Sequence, residues 1–478
     1  MLTVMRKPRL ALLAFVVFLC IPAATAGAVA HMPVGFYDDP SFRWAADPTA
    51  NLAAAQKANA SIIHVLVNWS AVAPTKPANA LNGGDAAYHL SDIDSLVRSA
   101  EQYNMQVLLT IAETPKWANG GQTPNYPPKN LNDLTNFAHM LASRYNGTHS
   151  NFGTVSLFSV WNEPNLQQFL TPQYEGNTIV SPGIYAKLYL AAYKGIKAGN
   201  PKALVAAGET SNRGKQAPSA GSDSVAPATF ARLVAVAAPN LPLDAWATHP
   251  YPSVYALGPN QKVAYPNVGF STMNKFGASL QQWFHHFVPI WVTEYAEQTR
   301  PEAPTSVGGV SYSQQAADAK QALQLAAASP YIEMFIWFIF RDGPATPSGD
   351  EPSSWYSGLE KANGTKKASY NAFASAAKAV VGYVATVKPG KKFSVTIGVP
   401  GMAYYNPTGT KLGTIYKLYS GKSIVALEEP LVPLTANATI TIPIDYAPAA
   451  GKSYTMTVTV NDKHGHFQTH TFVILTST

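Results

Sequence analysis

Two glutamates, Glu163 and Glu294, each follow a short run rich in β-branched and aromatic residues, Leu157–Trp161 and Val288–Thr293. Such runs read as buried strands. A carboxylate at the C-terminal tip of a strand in a parallel barrel lies where barrel enzymes do their chemistry. Two of them are what cleavage of a glycosidic bond requires: an acid for the leaving oxygen and a nucleophile or base at the anomeric carbon. Glu163 is the expected acid and Glu294 the expected nucleophile. Asn162, beside the acid, carries an amide able to hydrogen-bond a sugar hydroxyl, and Pro164 stiffens the exit from the strand. One glutamate at a strand end reads as a loop ion pair; the pair, in this setting, reads as a site.

The elements that must position them follow from periodicity. Strand-like runs at Pro33–Tyr37, Ser61–Trp69, Met105–Ala112, Val155–Trp161, Ala203–Ala207, Ala245–His249, Ile290–Glu294 and Ile332–Phe340 alternate with helical segments from Pro48–Asn59 to Tyr370–Val380. Alternation of this kind implies a parallel sheet. Eight units in roughly 350 residues imply an α/β fold of the (β/α)8 TIM-barrel type, here expected over residues 31–384. A doubly wound open sheet is disfavoured, because no glycine-rich phosphate loop follows the first strand. After Val387-Lys388-Pro389-Gly390 the pattern changes to period two, with turn residues between short runs. Residues 385–478 therefore read as a small all-β sandwich domain of the immunoglobulin-like kind.

Composition bounds the function. Hydrophobic residues make up 47% and charged ones 13% of the 478, which places the chain among globular proteins. Arg6, Lys7 and Arg9 precede the apolar run Leu10–Ile21 and small residues, so residues 1–30 read as a secretory signal peptide, and a secreted or cell-surface location is expected. That run is short for a membrane span. It holds Cys20, the one cysteine, so the remainder forms no disulfides. The net charge of +7 is spread without long basic runs, which argues against nucleic acid as a partner. The expected partner is an oligo- or polysaccharide. No cofactor is expected, and the absence of a His-Glu-x-x-His run or a cysteine cluster leaves metal ligation without support.

The string Phe158-Ser159-Val160-Trp161-Asn162-Glu163-Pro164-Asn165 resembles the acid/base motif of retaining glycosidases of glycoside hydrolase clan A, families 39 and 5 being the nearest. Trp291-Val292-Thr293-Glu294-Tyr295 is similar to their nucleophile strand. The resemblance runs from Gly35 to about Phe373 and implies hydrolysis by double displacement. It also implies that His249 and Tyr251, from His249-Pro250-Tyr251, contact the nucleophile or substrate, and that Trp337 forms the aromatic floor under the cleaved sugar. Asn68 and Trp69 end the second strand and are expected to line the same pocket. His64 stands where related enzymes usually carry an arginine, a departure that leaves open how the nucleophile is kept ionised. A transglycosylase, or a carbohydrate-binding protein on a decayed barrel, would share the scaffold; the joint presence of Glu163, Glu294 and Asn162 argues against decay.

Other acidic residues compete for the cleft: Glu113, Glu209, Glu297 and Asp342. Most are expected to be structural. Trp117, Tyr126, Phe169, Tyr174 and Trp355 fall on long loops and are candidates for stacking on sugar rings.

Overall fold

The computed structural model describes residues 32–476, except 104, 150, 220–221, 254–256, 304–307, 344–354, 382–383, 422, 437–438 and 464–466. The segment read as a signal peptide, with Cys20, lies outside the described residues. Eight parallel strands close into a barrel: β1 (Val34–Tyr37), β2 (Ile62–Asn68), β3 (Gln106–Ala112), β4 (Leu157–Val160), β5 (Leu204–Ser211), β6 (Ala245–His249), β7 (Ile290–Tyr295) and β8 (Ile332–Phe338), with β8 pairing back onto β1. Around them run α1 (Pro48–Lys57), α2 (Ser91–Gln102), α3 (Leu131–Arg144), α4 (Ser181–Gly199), α5 (Pro227–Ala237), α6 (Met273–Phe284), α7 (Tyr312–Ala328) and α8 (Ala368–Val381).

Local chemistry sets the helix limits. The Asp47 carboxylate accepts the Ala50 N–H ahead of Pro48, and the Ser311 hydroxyl accepts the Gln314 N–H at the start of α7. Helix α6 stops at Phe284 because His285 turns left-handed at φ 61°. On α2, Ile93, Leu96, Val97 and Ala100 are buried at three- and four-residue spacing, which places one apolar stripe against the barrel. Gly195 and Gly199 lie one turn apart on α4. A Cβ there would fall 2.1 Å from the Thr135 carbonyl oxygen and 2.5 Å from that of His139, so α4 can press against α3 only with glycine at both places.

The strands divide their side chains between two cores. Ile62, Leu108, Leu157, Ala206, Ala245, Ala247, Trp291, Met334 and Ile336 fill the barrel interior. Alternate residues, among them Ile63, Leu109, Phe158, Val205, Trp246, Val292, Phe335 and Trp337, belong to the larger cluster shared with the helices. This is the period-two division of a strand buried on both faces. Above the apolar interior the filling turns polar: His64, Thr110 and Ser159 from β2, β3 and β4 are linked through their side chains.

The C-terminal part is all β apart from one short helix. β9 (Val384–Val387), β16 (Phe467–Thr476), β15 (Ser453–Asn461), β11 (Lys411–Ser420) and β12 (Ser423–Glu428) form a sheet, with β13 (Leu431–Pro433) on β11. β10 (Phe393–Gly398) and β14 (Thr439–Ile444) form a separate antiparallel pair. Val395, Ile397, Ile440 and Ile442 from the pair meet Leu412, Tyr416, Leu418, Met456 and Val458 from the sheet in one cluster. That alternation buries one face of each layer. The strands β9 and β13 and the helix Pro400–Tyr405 were not expected from the period-two pattern.

Glu297, just past β7, is one of the competing acids, and it turns away from the cleft. It is fully buried, accepts the Tyr295 hydroxyl at 2.7 Å, and its carbonyl accepts the Gln315 amide at 2.9 Å. Burial, with the Asp318 carboxyl bonded beside it, pushes its carboxyl up to about 9. The folded protein therefore holds this proton across a range in which the unfolded chain, titrating near ~4.3, has lost it. Stability contributed by the neutral acid is complete below the unfolded value and is lost as pH rises towards about 9. Glu297→Gln, which imitates the neutral acid, is expected to gain on the order of 1–3 kcal/mol over the parent at pH 8 and much less at pH 5, as read by urea unfolding at both pH values.

Candidate active site

The tips of β4 and β7 are built irregularly, and that irregularity aims their glutamates. Beyond β4, Trp161 and Glu163 have φ of 73° and 38°, a region bulky L-residues rarely occupy. Trp161 is held there by its backbone N–H on the Ile111 carbonyl and its indole N–H on the Phe169 carbonyl, at 2.6 and 2.7 Å. Asn165, fully buried, ties the turn to the β5 loop: its side-chain oxygen accepts the Ser211 N–H and its amide donates to the Val225 and Arg213 carbonyls. On β7, pairing with β8 slips between Val292 and Tyr295. Both of these residues face the helices, so the extra residue lets Thr293 and Glu294 both turn inward.

One imidazole joins the two glutamates. His249 Nδ1 lies 3.0 Å from Glu163 Oε1 and 3.6 Å from Glu294 Oε2. Tyr251 donates its hydroxyl proton to Glu294 Oε2 at 2.8 Å. Behind the ring, His249 Nε2 lies 2.8 Å from Glu209 Oε2, and Thr293 donates to the same oxygen at 2.6 Å. His249 and Glu209 are both fully buried, whereas the Glu163 and Glu294 side chains keep 15% and 11% exposure, enough to meet a ligand from the cleft.

The charges follow from this packing. Burial opposes a charge on His249, yet the Glu294, Glu163 and Glu209 carboxylates hold its proton well above the ordinary histidine range. Burial likewise opposes ionisation of Glu209, but the His249 contact keeps it below the usual carboxylate range. Glu294 is pushed up to about 7, first by burial and then by the Glu163 charge, while His249 and Tyr251 pull the other way.

His64 takes no part as a cation. It is buried among Thr110, the Thr293 carbonyl and the Tyr37 ring, and burial drives it down to about 4. It is a neutral strut beneath the nucleophile strand, and it neither reaches a substrate nor replaces an arginine. Two further expectations are corrected. Trp337 belongs to the outer core, where its indole N–H meets the Ser357 carbonyl and its ring packs on Phe373. Because side chains alternate along a strand, the inward place on β8 belongs to Phe338, which contacts Tyr37, Tyr251 and Trp355. Trp69 is buried against Phe137 and Trp117, also away from the cleft. Asn68, one residue earlier, does line a pocket of about 410 Å³ with Tyr37, Phe338, Asp342 and Trp355 on the β1–β2–β8 side. Asn162 is half-buried, and its side chain bonds to none of the described residues.

The remaining acids and aromatics separate cleanly. Asp342 is fixed by the buried Lys367 ammonium at 2.7 Å and the Gly358 N–H at 2.9 Å. Glu113 accepts the Ser70 hydroxyl. Trp117 and Tyr174 spend their polar atoms on the Ala73 and Ser224 carbonyls, so they are loop packing. Phe169 is half-buried, Tyr126 is exposed, and Trp355 stacks near Tyr251 at 6.4 Å between centroids. Tyr37, Phe338, Asn165 and the inward turn of Glu209 were missed from sequence. Only Asn165 carried a signal, as the last residue of the five-residue motif.

Solved structures share this architecture. A glucosidase from Croceicoccus marinus superposes with a TM-score of 0.55 at 12% identity, covering 89% of this chain and 95% of its own. A family 39 glycoside hydrolase from Bacteroides cellulosilyticus gives 0.52 at 17% identity, covering 87% and 81%. A family 5, subfamily 18 protein from Streptomyces cattleya, in complex with GlcNAc, gives 0.52 at 13%, covering 76% and 83%. No curated protein matches. The cellulase model of glycosyl hydrolase family 5 matches residues 30–339, well over half of the chain. This chain therefore belongs to the cellulase family, glycosyl hydrolase family 5, and is a glycoside hydrolase.

Proposed function

We propose that the protein is a secreted enzyme that cleaves β-linked glycosides or polysaccharides with net retention. Glu294 attacks the anomeric carbon while Glu163 gives its proton to the departing oxygen, which leaves as an alcohol. A glycosyl ester on Glu294 results. Glu163, now a carboxylate, takes a proton from water, the hydroxide equivalent displaces Glu294, and the sugar is released with its original configuration. Asn162, free to bond a sugar hydroxyl, and the aromatic frame of Tyr37, Phe338 and Trp355 would hold the ring over Glu294.

One observation carries this reading. Glu163 Oε1 and Glu294 Oε2 both approach His249 Nδ1, so they can be no farther apart than the sum of those two distances, about 6.6 Å. Retaining pairs stand ~5–5.5 Å apart and inverting pairs ~6.5–9.5 Å. The bound takes in the whole retaining range and only the lowest edge of the inverting one.

The expected activity is found by screening the secreted protein against a glycan panel and reading product anomers by NMR; first-formed product of inverted configuration would contradict the reading. Glu294→Gly is expected to lose activity at least ~10⁴-fold, with azide restoring turnover and giving a glycosyl azide of inverted configuration. Glu163→Gln is expected to slow substrates with poor leaving groups by ~10²–10⁴-fold while sparing dinitrophenyl glycosides in the first step. Tyr251→Phe removes a hydrogen bond that favours ionised Glu294, so the acidic limb of kcat/KM against pH is expected to move to higher pH. Expression of the full chain with its N-terminal segment is expected to place the mature protein outside the cell, with the cleavage point read by N-terminal sequencing.

A further inference from the structure

Glu209 is buried deepest of the acids around the cleft, and the reaction above assigns it nothing. Its place depends on a local distortion. The pairing of β5 with β6 slips between Ala207 and Thr210, at Gly208, whose φ is +103°. A Cβ at Gly208 would stand 2.6 Å from the Ala247 carbonyl oxygen and from the Trp246 ring, so the bulge requires glycine. The following residue, Glu209, has φ 48°. Its carboxylate thereby points into the barrel, and it touches three other strand ends. Its carbonyl accepts the Glu163 N–H at 2.9 Å, its Oε2 meets His249 Nε2 at 2.8 Å, and the same oxygen accepts the Thr293 hydroxyl at 2.6 Å. These partners are the acid itself, the ring that faces both glutamates, and the residue before the nucleophile.

We propose that Glu209 is a positioning residue whose buried charge keeps His249 a doubly protonated imidazolium, with its Nδ1–H directed at Glu163 and Glu294. The argument rests on donors and acceptors. A neutral imidazole has one N–H and one lone pair. If Nε2–H served Glu209, the lone pair on Nδ1 could accept from a protonated Glu163 at 3.0 Å, but it would face the ionised Glu294 oxygen at 3.6 Å with no proton between them. A fully buried carboxylate also needs a cation, and among the described residues the ion pairs of Glu163, Glu209 and Glu294 are all with His249. The groups facing His249 are Glu163 from β4, Glu209 from β5, Tyr251 beyond β6 and Glu294 from β7. Tyr37 from β1 and the neutral His64 from β2 lie behind them, and β3 and β8 present Thr110 and Phe338. The Glu209–His249 pair brings no net charge to the site. Within that neutral pair the Nδ1–H is the end that faces the two outer glutamates, at 3.0 and 3.6 Å.

This inference rests on the retaining reading, and the experiment separates the two. In full-length protein labelled with ¹⁵N-histidine, both ring nitrogens of His249, assigned by their loss in His249→Asn, are expected to stay protonated from pH 5 to pH 8. A neutral His249 in the parent protein within that range overturns the proposal whether or not any variant folds. In Glu209→Gln, which keeps the shape and removes the charge, His249 is expected to give up its proton below pH 8. Once His249 is neutral, Glu294 has lost the nearer cation that favours its ionised form, so the acidic limb of kcat/KM is expected to move to higher pH by at least about one unit. Glu209→Asp is expected to keep the parental profile at reduced kcat. Loss of kcat in Glu209→Gln with an unmoved profile and an unmoved His249 resonance would reduce Glu209 to a packing role. If azide fails to rescue Glu294→Gly, the retaining reading falls instead, while the histidine titration still reports on Glu209.

Discussion

Three carboxylates and one imidazole lie within contact of one another, two of the four groups fully buried, and their charges must be reconciled. His249 satisfies this constraint by standing at the centre, with Glu209 behind it and Glu163 and Glu294 in front. Without a cation there, a buried Glu209 would be costly and the two outer glutamates would repel each other. With it, the cluster tolerates close approach of the outer pair. Close approach is the geometric condition for a nucleophile and an acid to act on one anomeric carbon.

The barrel delivers this cluster by departing from its own regularity. A uniform strand alternates its side chains, so adjacent residues cannot both face inward. The slips in β5 and β7 break that rule at the two places where it would have turned Glu209 or Glu294 outward. Left-handed backbone at Trp161, Glu163 and Glu209 does the same at the strand ends. Each such residue costs of order 1–3 kcal/mol. The buried Asn165 amide and the Trp161 indole bond offset that cost locally. Three of these strained positions, Trp161, Glu163 and Glu209, are the acid, the buried glutamate behind His249 and a near neighbour, while the barrel interior below is apolar.

How much of this was legible in sequence depended on scale. The alternation of strands and helices gave the eight-fold barrel, and the strand expected at Ala245–His249 coincides with the structure. Glu163, Glu294, His249 and Tyr251 were legible because they end strongly patterned runs and sit in a recognisable motif. Trp337 was misplaced because periodicity identifies a strand without saying which of its two faces is which, and a one-residue error exchanges them. Trp69 was misplaced for another reason: the strand ends at Asn68 and Trp69 opens a one-turn helix that carries its ring away from the cleft. His64 was placed on the correct strand, but its protonation depends on burial by Tyr37 and Thr110, which are distant in sequence. Glu209 was recognised only as one acid among several, since a bulge at Ala-Gly-Glu leaves no periodic trace. The C-terminal layer was legible from its period of two, whereas β9 and β13 were too short to show it.

The central claim is that Glu294 becomes covalently bonded to the sugar. The most direct measurement is to treat the protein with a 2-deoxy-2-fluoro glycoside, carrying a good leaving group, of whichever sugar it cleaves, and to map the adduct by peptide mass spectrometry. The account predicts stoichiometric loss of activity and a fluoroglycosyl group on Glu294. An adduct on another carboxylate, or hydrolysis with inversion and no adduct at all, would contradict it.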